Sequence, residues 1–324
     1  MNIVVVIVNY NSGELLQQCV QALERQTKLP STVIIVDNAS SDGSINIDDS
    51  AILNLQIVLL KTNVGFARAN NLALDLIKES EFVALLNPDA FPKPMWLQEL
   101  HFCSQQFPLH SFFASNMLDA NNPSLVDGQG DVYHFSGLAW RRGHGHKNIS
   151  ENSDSSSMYR PEIFAACAGA AMYKFKDIEE VGGFDEEFFC YMEDVDLSYR
   201  LILAGKKGLY VPKAIVHHIG SAITGKRSSF SIYYGHRNLV WTYFKNTPLI
   251  LLLFSLPFHL MLNVFSILYF SIKGQGKIIL KSKYDALKGL PQILRKRTII
   301  QKKRLSSVSY IFSLMNKKLF IFKR

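Results

Sequence analysis

Only four cysteines occur in 324 residues, Cys19, Cys103, Cys167 and Cys190, and no two of them form a CxxC pair. That excludes a disulfide-stapled scaffold and a cysteine-based zinc site, and it points to a reducing compartment. No basic segment precedes the apolar run at residues 3–8 and no small-residue cleavage signal follows it, so the amino terminus reads as a strand and not as a signal peptide. No GxGxxG follows that strand, and no GxxxxGK[ST] occurs anywhere. Phosphate is therefore not cradled by a Gly-rich turn, and the diphosphate of any nucleotide ligand needs a metal or basic side chains. Acids are nearly missing from the end of the chain. Of 35 Lys and Arg and 27 Asp and Glu, fifteen basic residues but one acid, Asp285, lie from Ser271 onward, leaving 20 basic against 26 acidic before it. The net charge of +8 belongs to the tail. No aromatic-interleaved platform accompanies it, which argues against nucleic acid as a partner.

What is present is a strand–helix rhythm. Residues 3–8 are a continuous β-branched run, the pattern of a strand buried on both faces of a parallel sheet. Asn11 or Ser12 can cap a helix in which Leu16, Cys19, Val20 and Leu23 recur at helical spacing. Further strands are expected at 32–36, 57–60 and 82–86, with a helix through Leu72, Ala73, Leu76 and Ile77 before the last. The rhythm predicts an α/β fold with an open, mostly parallel sheet and flanking helices, in a chain long enough for one large domain plus an appendage. Ligands of such sheets bind outside the carboxyl ends of the strands. Asn9, Asp37, Asn63 and Asp89 each stand just past one strand end, so four polar groups converge on one rim.

Farther along, residues 94–106 read as a helix and 112–115 as a short strand, and 118–161 is loop-rich, with an insertion-like tract at 143–153 and the serines of 155–157. His144 and His146 in that tract are either metal ligands or merely exposed. The small residues of 164–173, Gly169 among them, permit close backbone approach beside a site, and equally suit a tightly packed strand. A strand is expected at 208–211. The adjacent His217 and His218 point to opposite faces of a strand-like run, so one of them can reach a pocket. Arg237 beside Tyr233 and Tyr234 suits anionic oxygens.

Residues 183–200 carry six carboxylates and five aromatics, four of the aromatics standing ahead of a helical pattern. With a helix starting near Met192, Asp194, Leu197, Leu201 and Ala204 form one inward stripe. A carboxylate on that stripe beneath an aromatic run is a candidate general base, or else a charge that favours the helix amino terminus. Glu193, Asp196 and Arg200 share the other face and can be solvated there, the Asp196–Arg200 pair being worth a few tenths of a kcal/mol.

The blocks Val8-Asn9-Tyr10-Asn11, Val36-Asp37-Asn38-Ala39-Ser40-Ser41-Asp42-Gly43-Ser44, Asn63-Val64-Gly65-Phe66-Ala67-Arg68, Leu86-Asn87-Pro88-Asp89, Gly182-Gly183-Phe184-Asp185, Glu193-Asp194-Val195-Asp196 and His218-Ile219-Gly220-Ser221 together resemble family 2 glycosyltransferases of GT-A fold, in particular bacterial rhamnosyltransferase-like members. The resemblance spans roughly residues 3–245. It implies a nucleotide-sugar donor, dTDP-rhamnose being one candidate, a divalent Mg²⁺ or Mn²⁺ cofactor, and inverting transfer. It further implies that Asp37 accepts a hydrogen bond from the base and that Asn9, Asn63 and Arg68 help hold the nucleotide. Gly169, Glu193 and Arg237 are further candidate substrate contacts. Asp89 would ligate the metal, with His218 a further ligand and His217 the competing assignment. Asn87 replaces the first Asp of a DxD motif, so it either weakens the metal site or touches ribose. Asp194 would take the acceptor proton.

Residues 248–272 are largely apolar, interrupted by Pro257, His259 and Asn263. Followed by the basic tail, they read as membrane-associating helices of a second region, 246–324, after a catalytic domain at 1–245; an interfacial helix, a spanning one and a soluble helix pair all remain open. The expected setting is peripheral, on the cytoplasmic face of the inner membrane, with a lipid-linked glycan as acceptor. A homo-oligomer is compatible with the sequence. The reading from a different class is a membrane-anchored nucleotide-sugar binding module without catalysis.

Overall fold

The computed structural model describes residues 2–148, 161–220 and 228–318. The serines of 155–157 and the last residue of the His218–Ser221 block lie outside them. The chain opens with β1 (Ile3–Asn9), α1 (Leu15–Glu24), β2 (Thr32–Asp37), β3 (Leu55–Leu59), α2 (Phe66–Leu74) and β4 (Phe82–Leu86). These strands pair in parallel in the order β3-β2-β1-β4. All seven residues of β1 are buried, because alternate side chains enter two separate cores. Val4, Val6 and Val8 pack with Ala67, Ala69 and Ala73 of α2, while Ile3, Val5 and Ile7 pack with Leu16, Cys19 and Leu23 of α1. A run with no polar alternation thus signals helices on both faces.

The first helix lacks the expected cap. Asn11 sits in a left-handed conformation (φ +48°), and the Ser12 hydroxyl donates to the Asn9 side chain, so neither side chain caps α1. Both residues are used at the rim of the sheet.

The chain continues with β5 (Ala90–Pro92), α3 (Trp96–Gln106), β6 (His110–Asp119), β7 (Val126–Gly128), β8 (Asp131–Tyr133), β9 (Ala139–Arg141), β10 (Glu162–Ile163), β11 (Ala170–Lys174), α4 (Phe175–Glu180), α5 (Glu193–Leu203) and β12 (Lys207–His218). β11 runs antiparallel between β4 and β6, and β12 lies parallel to β6. The sheet is therefore mostly parallel, as the rhythm predicted, with β11 inserted antiparallel between β4 and β6 and the short β5, β7 and β10 paired antiparallel to β12, β6 and β12. The loop-rich expectation for 118–161 is only partly met: β7 pairs with β6, and β8 and β9 form a small hairpin.

The rest is helical: α6 (Ser229–Asn246), α7 (Leu249–Ile272), α8 (Gly276–Lys302) and α9 (Val308–Leu314). Beyond α6, which ends at Asn246, the chain returns to the body. Ile311 of α9 and Met315 join the core between the sheet and α5, and the Asn316 N–H donates to the Tyr133 carbonyl.

The polar face of α5 is not solvated. Asp196 is 0 % exposed, and Glu193 and Arg200 are 6 % exposed. α6 and α8 cover that face and supply its partners. Asp196 accepts from Arg200 Nε at 2.8 Å, from Lys245 Nζ at 2.9 Å and from Asn246 Nδ2 at 2.7 Å. Lys245 also bonds Asp185, whose other oxygen accepts from Lys296 of α8 at 2.6 Å. Such a pair is far more costly to break than an exposed one, because the remaining charge stays buried.

Candidate active site

A cleft of about 1230 Å³ opens over the carboxyl ends of the strands. Its first wall is the rim built by β1, β2 and the turn before α2. Asn9 Nδ2 donates to Asp37 Oδ1 at 2.8 Å, and the other Asp37 oxygen accepts the Ser40 N–H at 3.0 Å. Both Asn9 and Asp37 are buried behind the surface of the cleft. The cleft surface there is Tyr10, Asn38 and Asn63. Asn38 Nδ2 donates to Asn63 Oδ1 at 3.0 Å, and the Asn38 carbonyl oxygen Oδ1 receives the Val64 N–H at 2.8 Å. Asn38 and Tyr10 stood inside recognised blocks without a role being assigned to either. Arg68 does not reach the cleft; it is half exposed on α2, 3.8 Å from Glu186.

The floor holds Asn87, Pro88, Asp89, Gly169 and His218. A Cβ on Gly169 would stand 3.3 Å from both Asn87 Nδ2 and Met117, so the small residue lets the two chain segments approach. His218 is the member of the histidine pair that faces the cleft. It is 2 % exposed, with Nδ1 2.8 Å from Asp127 Oδ2 and Nε2 3.2 Å from Asp89 Oδ1. The last contact lacks hydrogen-bond geometry, and Nε2 is a buried nitrogen without a hydrogen-bond partner. An imidazole nitrogen and a carboxylate oxygen converging in this way fit a divalent cation, with the opposite ring nitrogen held by a second carboxylate. Burial pushes the His218 imidazole down, and Asp127 and Asp89 outweigh that and hold it above its ordinary value. His144, half exposed, lies 3.6 Å from Asp127 Oδ1.

The third wall carries Asp194 in the first turn of α5. It projects into the cleft at the edge of the core, while Leu197 and Leu201 below it are fully buried. Asp194 Oδ2 accepts the Ala168 N–H at 3.1 Å and Oδ1 the Val195 N–H at 2.8 Å. Burial raises its proton affinity; those two N–H groups and Arg141 oppose the rise without cancelling it. A carboxylate held above its ordinary range is a better base at neutral pH. Neighbouring Glu193 is raised as well, by burial and then by Asp194. Asp131 and Cys167 bring ligand atoms within 4.8 Å of those of Asp194 and of each other. Burial pushes the Cys167 thiol up, and burial followed by Asp194 raises the Asp131 carboxyl. Asp127, Asp131 and Arg141 were not singled out in the sequence. Their sole signal is the Asp127-Gly128-Gln129-Gly130-Asp131 repeat inside a tract that reads as loop.

The segment before Asp194 is strained. Phe189, Tyr191 and Met192 have φ of +63°, +68° and +68°, a region costing side chains with a Cβ about 1–3 kcal/mol each. Arg237 and Asn238 of α6 hold it in place. Asn238 Nδ2 lies 2.8, 2.9 and 2.7 Å from the Phe188, Cys190 and Tyr191 carbonyls. Arg237 Nη2 donates to the Glu187 and Phe188 carbonyls, its guanidinium 4.1 Å from the Trp241 ring. Arg237 therefore does not meet anionic ligand oxygens in the cleft; its donors go to loop carbonyls. The Ala67 N–H donates to the Phe189 carbonyl, and Gly65 (φ +87°) has no room for a Cβ, which would come within 2.7 Å of Phe189.

A polar rim, a carboxylate–imidazole pair and the Asp194 carboxylate stand over a mostly parallel α/β sheet, the architecture of a GT-A fold. Residues 4–101 match the family model for glycosyl transferase family 2. The chain is 26 % identical over 261 residues to N-acetylglucosaminyl-diphospho-decaprenol L-rhamnosyltransferase of Mycobacterium tuberculosis, covering 72 % of this chain and 81 % of that one. It is 28 % identical over 225 residues to the O-antigen chain rhamnosyltransferase WbaN of Salmonella anatum, covering 66 % and 64 %. In fold it is similar to the mannosyltransferase PcManGT from Pyrobaculum calidifontis, solved with GDP-Man and Mn²⁺, with TM-score 0.55 and 16 % identity over 93 % of this chain and 84 % of that one. Residues 4–101 thus carry the family 2 glycosyl transferase match, and the chain is similar to bacterial rhamnosyltransferases.

Proposed function

We propose that the protein is an inverting, metal-dependent glycosyltransferase that moves a deoxyhexose, rhamnose in the first instance, from a nucleoside-diphosphate donor to a lipid-linked glycan during cell-surface polysaccharide assembly. The observation that carries this reading is a single cleft holding the Asn38–Asn63 rim, the Asp89–His218 pair and the Asp194 carboxylate. The sugar and the acceptor class rest on the similarity to the two rhamnosyltransferases.

The base and ribose lie on the rim, where Asp37 and Asn9 brace Asn38, Asn63 and Tyr10 from behind. Asn87 and Gly169 border the sugar. Asp89 and His218 would hold a Mg²⁺ or Mn²⁺ ion, which neutralises the charge of the leaving diphosphate. Asp194 accepts the proton of the acceptor hydroxyl as its oxygen bonds to the anomeric carbon. The bond from that carbon to the diphosphate breaks on the opposite face, giving the glycosylated acceptor, a nucleoside diphosphate and protonated Asp194. One base and one in-line displacement invert the anomeric centre.

The setting proposed is the cytoplasmic face of the inner membrane. α7 is long and apolar enough to cross a membrane, with mean hydropathy 2.0. Its Ser255 and His259 meet Tyr243 of α6, the His259 ring stacked 3.8 Å from that of Tyr243, and it exposes Leu253, Phe254, Met261, Phe265 and Leu268. α8 in turn exposes Leu280, Tyr284, Leu287 and Leu294, interleaved along the helix with exposed Lys277, Lys281, Lys288 and Arg295. Apolar and basic side chains mixed on one exposed surface suit a helix lying at an anionic interface better than one buried in hydrocarbon.

The test is the anomeric configuration of the product formed from dTDP-rhamnose and a diphospholipid-linked acceptor, read by proton-coupled NMR. Inversion is expected. Retention would refute the single-base displacement.

A further inference from the structure

The mechanism leaves unused the aromatic group at the mouth of the cleft. Phe189, Tyr191 and Phe230 line it. The Tyr191 and Phe230 ring centres are 6.0 Å apart, and Tyr234 backs the group, stacked on Phe189 at 5.0 Å and 4.7 Å from Phe230. Phe230 is 37 % exposed although it belongs to a cluster of four rings. Rings that served only to pack the helices would not need the left-handed backbone at Phe189 and Tyr191. That backbone is maintained by the three carbonyl contacts of Asn238, which is itself 0 % exposed. Strain of this kind is held where surrounding structure over-determines it, and it clusters at ligand sites. Its effect here is to turn two rings into the cleft immediately ahead of Asp194.

Position determines what those rings meet. A hydroxyl that gives its proton to Asp194 must come within about 3 Å of the carboxylate. The ring bearing that hydroxyl therefore lies against the residues just before Asp194. Pyranose rings present C–H faces that pack on aromatic faces, and a wall of fixed rings orients such a ring at small entropic cost.

Resting on the glycosyltransferase reading, we propose that Tyr191 and Phe230, braced by Phe189 and Tyr234, form the acceptor subsite and take the pyranose ring that carries the attacking hydroxyl. The donor nucleotide occupies the opposite, Asn38–Asn63 end.

The experiment uses the full chain with dTDP-rhamnose and two acceptors, N-acetylglucosamine α-linked to diphosphoundecaprenol and the same sugar diphosphate on a short alkyl chain. Tyr191→Ala and Phe230→Ala are compared with the wild type and with Tyr191→Phe and Phe230→Tyr. Their thermal unfolding is measured in parallel, together with dTDP affinity. The alanine variants are expected to raise the KM for both acceptors about tenfold, the loss of roughly one stacking contact. The aromatic variants keep wild-type KM, and dTDP affinity is unchanged in all. A rise confined to the undecaprenyl acceptor would mean that the rings hold isoprenoid and would overturn the assignment. Unchanged KM in well-folded alanine variants would overturn it too, while leaving the transferase reading intact. Absence of turnover by the wild type with every nucleotide sugar and either acceptor would remove both.

Discussion

His218 Nε2 and Asp89 Oδ1 face each other across 3.2 Å without a hydrogen bond, while His218 Nδ1 is tied to Asp127 at 2.8 Å. That relationship distinguishes His218 from His217, whose ring lies on the other side of β12 and off the cleft. It also gives Asp127 a role in fixing the ring and its basicity. Asp127→Asn should weaken Mn²⁺ binding about 10–100-fold, as is usual for the partner of a ligating histidine. His218→Ala and Asp89→Ala should weaken it more. Titration of free Mn²⁺ by electron paramagnetic resonance reads all three, and wild-type affinity in His218→Ala would refute the assignment.

Asp194 is held above the ordinary carboxylate range by burial, which Ala168 N–H and Val195 N–H only partly offset. A base must be ionised to work, so the acid limb of kcat/KM should fall at a pH above the normal carboxylate value. Asp194→Asn should lower kcat about 10²–10⁴-fold and leave dTDP binding in place. A profile flat through that region would show that Asp194 is not the base.

Lys245, 1 % exposed in its side chain, joins Asp185 and Asp196, and Lys296 of α8 completes the set. Lys245→Ala leaves two buried carboxylates short of a partner and should cost about 3–5 kcal/mol of stability. Burial pushes Asp185 upward, but Lys245 and Lys296 outweigh it and lower its proton affinity. A folded value below the unfolded one, near 4, gives stability that is complete above that pH and is lost as pH falls through and below it. Asp185→Asn should remove this part of the acid sensitivity. Chemical denaturation at pH 7 and at steps from about pH 4 down to about pH 2 measures both effects.

Much of the sheet was readable because its signals are local. An unbroken β-branched run such as residues 3–8 has one common explanation, a central strand covered on both faces, and the polar residue that ends it then falls on the ligand rim. Asp196 and Arg200 show where such reading stops. Helical spacing put them on a polar face, and only the long-range return of α6 and α8 decides that this face is buried. Arg237 failed for a related reason, since an Arg beside tyrosines looks the same whether its donors face a phosphate or the carbonyls of a strained loop. Asp127, Asp131 and Arg141 reach the cleft through a short strand and a hairpin of three-residue strands, too brief to leave a period in the sequence.

Changing Lys277, Lys281, Lys288 and Arg295 together to Gln should reduce binding to vesicles rich in anionic lipid, at about 1 kcal/mol per charge. Flotation with anionic and with neutral vesicles separates this contribution from apolar insertion by α7. Equal flotation of variant and wild type on anionic vesicles would remove the electrostatic part of the proposal.

The most direct test of the central claim is nucleoside diphosphate release by the purified protein across a panel of nucleotide sugars. Each is run with Mn²⁺, Mg²⁺ or EDTA and with membrane extract as acceptor source, beside Asp194→Asn. Metal-dependent release from one donor, lost in the variant, is the predicted result, with dTDP-rhamnose the expected donor. Tight donor binding with no release from any sugar would contradict catalysis and leave a nucleotide-sugar binding module.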